Sequence, residues 1–158
     1  ISKEMSSTIR LVSYNILSDC YVRVPGQPWN AFEYCSNEDI LWENRCPKIL
    51  TKLLSSNADV ICLQEVTFEL HNDIWELPYW LNDLISNGYT AIMQKMTQKE
   101  WSKNADRNLR MVGRREPTGI VTLFKNNTFE EIIESQHGSG SGIVLYLKLK
   151  QFDNENQT

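Results

Sequence analysis

The sequence predicts an α/β fold with a mixed β-sheet, and two observations carry that prediction. In the first half of the chain, strand-like segments alternate with helical patterns, and in the second half strand-like segments dominate. A β-α-β-α-β order followed by turn-linked strands is typical of a sheet that combines parallel and antiparallel pairs. The chain has 158 residues, of which 41% are hydrophobic, so it carries enough apolar material for a packed core.

The strands are predicted from runs of β-branched, aliphatic and aromatic residues. They cover residues 9–16, 59–64, 89–94, 118–125, 128–135 and 143–150. The run over 59–64 is nearly all apolar, which is typical of a strand that is buried on both faces. The pair Asn126-Asn127 predicts a tight hairpin that joins the two strands on either side of it.

Two helices are predicted between these strands, over about 47–55 and over 68–86. Ser36 with Asp39 three residues later resembles a capping box and begins the first helical segment. Pro47 breaks that segment, because proline removes a backbone donor and clashes with the preceding turn. The main helix is therefore predicted to begin at Pro47.

Charge is distributed unevenly along a chain whose net charge is −4. Residues 94–125 hold eight Lys and Arg against three Asp and Glu, a net of +5, so the remaining residues carry −9. Much of this segment, residues 96–117, is predicted to be a basic variable loop, since it is polar and lacks a clear period. Its basic side chains with an interleaved aromatic suit a phosphate backbone and a stacked base. The candidate substrate-binding residues are Trp101, Arg110, Arg114 and Arg115. The alternative is a solvated loop.

Composition excludes several functional classes. The net negative charge argues against a protein that binds nucleic acid over its whole surface. The longest apolar runs are far shorter than the roughly 18 to 20 residues of a membrane span, so no membrane partner is expected. The four cysteines include no C-x-x-C pair, which argues against zinc. Without a visible signal segment, reduced thiols and a cytoplasmic or nuclear location are expected.

Two polar residues at strand ends form the candidate site. Asn15 ends the first predicted strand, and Glu65 directly follows the apolar strand over 59–64. If these two strands are neighbours, both side chains emerge at the same edge of the sheet, where open α/β sheets usually bind ligands. One carboxylate beside an amide suits magnesium, which commonly takes one or two carboxylates together with water and substrate phosphate. The alternative is that Glu65 is a helix cap or a member of an ion pair.

Three motifs together resemble a known superfamily. They are LVSYNILSDCYV (residues 11–22), Trp42-x-x-Arg45, and ADVICLQEV (58–66), in this order, followed by TGIVTLFK (118–125). They resemble the endonuclease/exonuclease/phosphatase superfamily. Within it they are most similar to the branch of the carbon catabolite repressor-type deadenylases, nocturnin, the angel proteins and the 2′-phosphodiesterases.

The resemblance implies a fold, an activity and site residues. The fold would be half of a four-layer α/β/β/α sandwich with a mixed sheet (DNase I-like), with residues 1–158 as the N-terminal half of the catalytic domain. The activity would be magnesium-dependent (Mn²⁺ is the alternative ion) phosphodiester hydrolysis, most simply by a 3′-5′ exoribonuclease or poly(A) deadenylase acting on an RNA 3′ end. Glu65 would be a metal ligand and Asn15 its neighbour at the catalytic site. Arg45 is interpreted as a member of a helix salt bridge.

Departures from the superfamily pattern leave alternatives open. The N-T-H-L, G-D-x-N and S-D-H segments that supply the family's remaining catalytic groups do not occur in this sequence. We therefore expect the chain alone to be inactive and to need a C-terminal half, or an equivalent partner, that covers its sheet. A nucleotide phosphatase, a tyrosyl-DNA phosphodiesterase-like enzyme and a non-catalytic binding module remain as alternatives. Residues 137–142 are rich in Gly and Ser and are interpreted as a loop or a linker.

Overall fold

The fold is known from a computed structural model that describes residues 8–22, 32, 34–137 and 143–150. The strands are β1 (Leu11–Asn15), β2 (Val60–Thr67), β3 (Glu69–His71), β4 (Ile74–Glu76), β5 (Tyr89–Met93), β6 (Thr118–Lys125), β7 (Phe129–His137) and β8 (Ile143–Leu149). The helices are α1 (Asp19–Val22), α2 (Asn37–Ile40), α3 (Trp42–Ser56), α4 (Asn82–Ser86) and α5 (Gln98–Val112), with a 3₁₀ turn at Tyr79–Leu81.

A four-stranded mixed sheet forms the centre of the fold, with the strand order β1-β2-β6-β5. Strands β1 and β2 are parallel, whereas β6 is antiparallel to both of its neighbours. The crossover from β1 to β2 passes through α3, as parallel strands require. The predicted α/β class with a mixed sheet is therefore confirmed, and β1 and β2 are neighbours.

The hydrophobic core lies on one face of this sheet. In β2, Ile61, Leu63 and Val66 are fully buried, and Leu53 of α3 packs in the same cluster. The alternate residues of β2, such as Cys62, are only half-buried. The prediction that this strand is buried on both faces is therefore wrong, because the second face of β2 is only partly covered in the described residues.

Helix α3 continues through Pro47, so the predicted break is wrong. Proline removes the hydrogen bond that would reach the carbonyl of Glu43, one turn earlier. Both residues lie on the exposed side of the helix, where water can bind that carbonyl. The capping prediction is confirmed, because the Ser36 side chain accepts a hydrogen bond from the backbone N–H of Asp39 at the start of α2.

The predicted helix over 68–86 is wrong for most of its length. Residues 69–76 form the hairpin β3–β4, and the 3₁₀ turn and α4 follow it. Asn72 and Asp73 have φ angles of 48° and 63°, which suit a tight hairpin turn and which Asn and Asp tolerate better than most residues. Trp75 of the hairpin is buried in the core, so tertiary packing fixes its position.

The predicted basic loop over 96–117 is wrong, because most of it forms α5. Thr97 and Glu100 form a capping box at its start, and Gly113, with φ of 76°, ends it in the left-handed conformation. Trp101 is 1% exposed and packs on Phe68 with ring centroids 4.4 Å apart. Its predicted role of stacking on a base is therefore also wrong, since its ring faces the core.

Room for Trp101 against the sheet is provided by Gly119 of β6. A Cβ at this position would come within 3.0 Å of the rings of Trp101 and Phe68 and of the Gln94 side chain. Glycine is therefore required here by close packing, since backbone and rings are in contact. This contact fixes α5 beside the end of β2 at which the candidate site lies.

The predicted hairpin at Asn126-Asn127 is wrong, because β7 pairs with β8 in a separate two-stranded sheet and not with β6. After β6 the chain is held by other elements: the Asn126 N–H donates to the Gly88 carbonyl, and the Thr128 hydroxyl donates to Asp59. Of the predicted Gly/Ser segment 137–142, the residues after His137 lie outside the described part of the chain.

In the part of the chain that the structure covers, no helix combines the length and the apolar character needed to cross a bilayer.

Candidate active site

The carboxyl ends of β1 and β2 bring the two predicted site residues together. Asn15 lies opposite Gln64 in the parallel register, so Glu65 follows at the same edge of the sheet. The Asn15 side-chain amide donates a hydrogen bond of 2.7 Å to Oε1 of Glu65. The predicted proximity of Asn15 and Glu65 is therefore confirmed.

A β-bulge in β2 orients the Glu65 side chain. Leu63 pairs with Val121 and Val66 pairs with Gly119, so Gln64 and Glu65 together face one residue of β6. Glu65 has φ of +58°, a left-handed conformation that costs an L-residue about 1–2 kcal/mol. Strain of this kind persists where the surrounding structure enforces it, and it clusters at functional sites.

The turn after β1 closes over the Asn15–Glu65 pair. Leu17 also has a positive φ, 56°, and its N–H donates to Oδ1 of Asn15 over 2.9 Å. The next N–H, that of Ser18, donates to Oε2 of Glu65 over 3.3 Å. The Ser18 and Thr67 hydroxyls are 2.6 Å apart, which ties the turn to the end of β2. Both oxygens of Glu65 thus accept hydrogen bonds from neutral donors.

Arg45 of α3 holds this turn in place. Its Nη1 donates to the carbonyls of Ile16 (3.1 Å) and Leu17 (2.8 Å), and its Nε donates to the carbonyl of Ile40 (3.0 Å). The side chain is 14% exposed, and its guanidinium lies 5.3 Å from the ring centroid of Trp42. The predicted salt bridge is present, because Nη2 of Arg45 pairs with the carboxylate of Asp19, but the partner lies in α1 and not on the same helix, and the rest of the guanidinium binds the backbone beside Asn15.

Asp19 links α3 to the end of α5. Its carboxylate lies 3.5 Å from Nη2 of Arg45 and forms a hydrogen-bonded ion pair with Arg114. The hydrogen bond that Arg114 donates to Asp19 raises the pKa of Arg114 further above its already high ordinary value. Of the three predicted substrate-binding arginines, Arg114 thus lies next to the site. Arg115 pairs with Asp106 over 2.8 Å.

A cavity of about 210 Å³ opens beside Glu65. It is lined by Ile16, Ser18, Asp19, Trp42, Glu65, Thr67, Glu69, Pro78, Trp80 and Glu116. The rings of Trp42 and Trp80 meet edge to face, with centroids 5.6 Å apart, and form its apolar wall. Four carboxylates among the lining residues give the cavity a negative character that favours cations.

Several of these residues were not singled out by the sequence. Ser18 and Asp19 lie within the motif LVSYNILSDCYV, which indicates the family but does not indicate a role for either residue. Arg45 was part of a second motif, but its contacts span 28 and 29 residues. Trp80 lies in a segment that was predicted to be helical, so nothing in the pattern directed it towards the site.

The donor set at the strand ends fits a magnesium ion. Within the described ranges there is no cluster of three or more His, Cys, Asp and Glu side chains that could hold a metal alone. Magnesium does not need one, since it commonly binds one or two carboxylates with water and substrate phosphate as the other ligands. Glu65 has no Lys or Arg within ion-pair distance in the described residues, so its charge is not already neutralised.

A family model settles the relationship that the site suggests. The model of the Endonuclease/Exonuclease/phosphatase family matches residues 12–154, which include both strand ends. The chain belongs to this family. Its members are hydrolytic nucleases and phosphatases.

Relatives within the family resemble the chain at low identity. It is 29% identical over 129 residues to the CCR4-Not complex 3′-5′-exoribonuclease subunit Ccr4 of Mycosarcoma maydis, covering 82% of this chain and 17% of the relative. It is 27% identical over 125 residues to carbon catabolite repressor protein 4 homolog 1 of Arabidopsis thaliana, covering 79% of this chain and 18% of the relative. The chain therefore spans less than a fifth of the length of these curated relatives.

Solved structures share the fold. The 2′,3′-cyclic phosphatase ANGEL2 superposes with a TM-score of 0.63 at 24% identity, over 89% of this chain and 37% of that one. The chain thus has the mixed α/β architecture of the DNase I-like domains of this family.

Proposed function

We propose that this chain provides part of the active site of a magnesium-dependent phosphodiester hydrolase. The observation that carries the proposal is the Asn15–Glu65 pair, held on a bulged strand end by neutral donors and without a cationic partner. A half-buried carboxylate in that situation is suited to bind a cation. The substrate would be an RNA 3′ end and the reaction 3′-5′ exonucleolysis, as in poly(A) removal during mRNA decay, since relatives carry the name of 3′-5′ exoribonuclease.

Glu65 and Asn15 would hold the Mg²⁺ ion, for which Mn²⁺ is the natural substitute. When bound, the metal neutralises phosphate charge and lowers the pKa of an attacking water. The protein's own contribution is orientation. Arg45 fixes the Ile16–Leu17 turn, and the N–H groups of that turn and of Ser18 fix the amide and the carboxylate. A side chain locked in this way presents its free lone pairs in one direction.

The substrate would approach through the cavity beside Glu65. Arg114 lies at the edge of this cavity, where it pairs with Asp19. It would bind a substrate phosphate by releasing the Asp19 carboxylate. Arg110 is exposed one helical turn earlier, whereas Arg115 is engaged by Asp106. We propose phosphate contacts for Arg114, Arg110 and Arg115, the last requiring exchange of its partner Asp106, and none for the buried Trp101.

The remaining catalytic groups would come from outside this chain. We propose a second, C-terminal half of the domain, or an equivalent partner, that covers the half-buried face of β2 and supplies the G-D-x-N and S-D-H segments. The proposed location is the cytoplasm or the nucleus, where the four free thiols would stay reduced.

The test is a pair of charge-removing substitutions in the cavity. Glu65→Gln should lower Mn²⁺ affinity of the chain by at least about tenfold. With the rest of the domain present, it should also lower cleavage of oligoadenylate about a thousandfold, because several kcal/mol of charge stabilisation are lost. The matched control is Glu69→Gln, which removes a carboxylate from the same cavity but not the one bonded to Asn15. Equal effects of the two substitutions would contradict the assignment of Glu65.

Substrate choice requires a second comparison. Oligoadenylate with a free 3′-hydroxyl, an RNA ending in a 2′,3′-cyclic phosphate, a mononucleotide phosphate and a tyrosyl-DNA conjugate should be offered in parallel. Preferred hydrolysis of the first is expected. Preferred hydrolysis of one of the other substrates would assign the chain to another phosphohydrolase of the family. Absence of metal binding at Glu65 would favour a non-catalytic binding module.

A further inference from the structure

Helix α5 presents a row of basic side chains on its outer face, which we call the basic ridge: Lys99, Lys103, Arg107 and Arg110. All four are exposed. At 3.6 residues per turn they lie opposite the buried side of the helix, which is formed by Trp101, Ala105, Asn108 and Val112. The ridge therefore points directly into solvent over a length of about 17 Å.

Helix stability does not explain this row. Lys99, Lys103 and Arg107 follow one another at i, i+4 spacing, at which like charges destabilise a helix. Lys99 also lies in the first turn, where the helix dipole disfavours a positive charge. Ordinary solvated helices mix both signs along such a face. Of the six charged residues of α5, four are basic and lie on this face, an excess that helix stability does not require.

The helix's own two acidic residues offset the charge of the ridge only in part, and Glu100 does so through its interaction with Lys103. Glu100 is bonded to the backbone and the hydroxyl of Thr97 in the capping box, and Asp106 is paired with Arg115. In the ranges that the structure covers, none of the four ridge residues forms an ion pair. The ridge thus keeps a net positive charge on a chain whose net charge is −4.

The ridge leads to the candidate active site. Gly113 ends α5 one turn after Arg110, and the next residue, Arg114, binds Asp19 at the cavity wall. The hydroxyl of Tyr21 in α1 donates to Asn108 on the buried side of α5, which fixes the helix relative to the turn over Glu65. One end of the ridge therefore lies at the rim of the cavity.

We propose that the basic ridge binds the phosphate backbone of single-stranded RNA and carries the strand that leads into the cavity. This rests on the proposed function for the identity of the polymer. Basic groups that follow one another every four residues, about 6 Å along the helix axis, suit a regularly charged strand. A membrane surface is disfavoured because the apolar side of α5 is packed against the sheet, and insertion would need it. An acidic protein would need an anchoring pocket or an aromatic residue, and the ridge has neither.

The experiment measures binding without catalysis. Fluorescence anisotropy of a labelled oligoadenylate is followed with the 158-residue chain in EDTA, at several salt concentrations. Lys103→Gln/Arg107→Gln should weaken binding about tenfold at low salt and reduce the salt slope by about 1.4, since each lost phosphate contact of a single strand accounts for about 0.7. The matched control, Lys48→Gln/Lys52→Gln, removes two exposed charges from α3 and should change neither value.

Three further measurements complete the test. Lys103→Arg/Arg107→Lys keeps both charges and should bind like the unsubstituted chain, and thermal unfolding of every variant checks that α5 remains folded. Equal losses in the ridge and control pairs would overturn the proposal. So would binding of phosphatidylserine vesicles or polyglutamate that is as tight as RNA binding and equally lost on substitution. RNA binding is measured in EDTA and metal binding by Mn²⁺ titration without RNA, so a failure of the ridge and a failure of the metal site are distinguishable.

Discussion

The two ends of β2 each carry a carboxylate, but the two carboxylates have different partners. At the start, Asp59 accepts hydrogen bonds from the Arg10 N–H (2.8 Å) and the Thr128 hydroxyl (3.1 Å) and lies 3.7 Å from Nζ of Lys125. At the other end, Glu65 accepts from neutral donors. The first carboxylate is thus neutralised within the chain, whereas the second keeps a charge that is available to a cation.

The backbone conformation also differs between the two ends of β2. Near the start of β2, the residue with positive φ is Asn57 (50°), which ends α3 and belongs to a type that tolerates this conformation. Near the other end, Leu17 and Glu65 adopt it, and neither type is favoured there. The comparison teaches that one end of β2 is organised for stability, while the other holds strain and charge that stability does not require.

Replacing Arg45 should cause the largest change in stability and in metal affinity of the substitutions that test this comparison. Arg45→Met leaves the carbonyls of Ile16, Leu17 and Ile40 without their donor, and at about 1 kcal/mol or more for each the protein should lose about 3 kcal/mol of unfolding free energy. The released turn should also lower Mn²⁺ affinity about ten- to a hundredfold. Urea unfolding and metal titration measure the two effects.

Lys48→Met on the same helix is the control for Arg45. Lys48 is exposed, so its substitution should change stability by less than about 0.5 kcal/mol. A large loss of stability in Arg45→Met with unchanged metal affinity would mean that the turn keeps its shape without the arginine. Arg45 would then be part of the fold and not a residue that positions the site.

Removing the charge of Asp59 at the start of β2 should lower the free energy of unfolding by an intermediate amount that depends on pH. Burial would raise the pKa of Asp59, but the hydrogen bonds from Arg10 and Thr128 and the charge of Lys125 outweigh it, so the pKa is lowered from 3.8. A lowered folded-state pKa means that the carboxylate stabilises the protein fully above about pH 4. That stabilisation is lost as the pH falls through the folded-state value.

Asp59→Asn tests this linkage directly. At neutral pH the variant should lose about 1 kcal/mol of unfolding free energy, and its difference from the unsubstituted chain should shrink as the pH falls below 4. Urea unfolding at a series of pH values measures it. Metal affinity at Glu65 should stay unchanged, because the two carboxylates lie at opposite ends of the strand. A difference that grows towards acid pH would reverse the sign of the argument.

The smallest effect should come from relieving the strain at Glu65. Glycine adopts φ of +58° without penalty, so Glu65→Gly should be about 1 kcal/mol more stable than Glu65→Ala. Unfolding free energies of the two variants give the difference. At Asn57 the corresponding pair, Asn57→Gly and Asn57→Ala, provides the comparison at the other end of β2. Equal stability of the two Glu65 variants would mean that the bulge relaxes when the side chain is removed.

What the sequence predicted correctly depended on local pattern and simple topology. The strands were visible as runs of β-branched and aliphatic residues, and the proximity of Asn15 and Glu65 followed from placing two such strands side by side. The site's candidate residues could therefore be named. Their geometry could not, because the bulge depends on the register of β6, which lies more than fifty residues further along the chain.

Two of the wrong predictions, the helix over 68–86 and the loop over 96–117, share a physical cause, which is a misleading hydrophobic pattern. In α5 the buried face includes Ala105 and Asn108, so the helical stripe is weak and the segment looked like a loop. In the hairpin β3–β4 the spacing of Ile74 and Leu77 imitated a helix, although Ile74 is exposed. Both segments take their structure from packing around Trp101 and Trp75, two aromatic contacts that no local rule identifies.

The bulge in β2 has a consequence for how the proposed metal site can be lost. Between Leu63 and Val66, β2 has one residue more than the paired segment of β6. Glu65, which carries the carboxylate, belongs to this bulge. Deleting the codon for Glu65 would remove the charge and the left-handed residue together, and Val66 would keep its buried partner in a regular ladder. A single in-frame deletion could thus turn a member of this lineage into a well-folded scaffold protein, which is a short evolutionary route from hydrolysis to assembly.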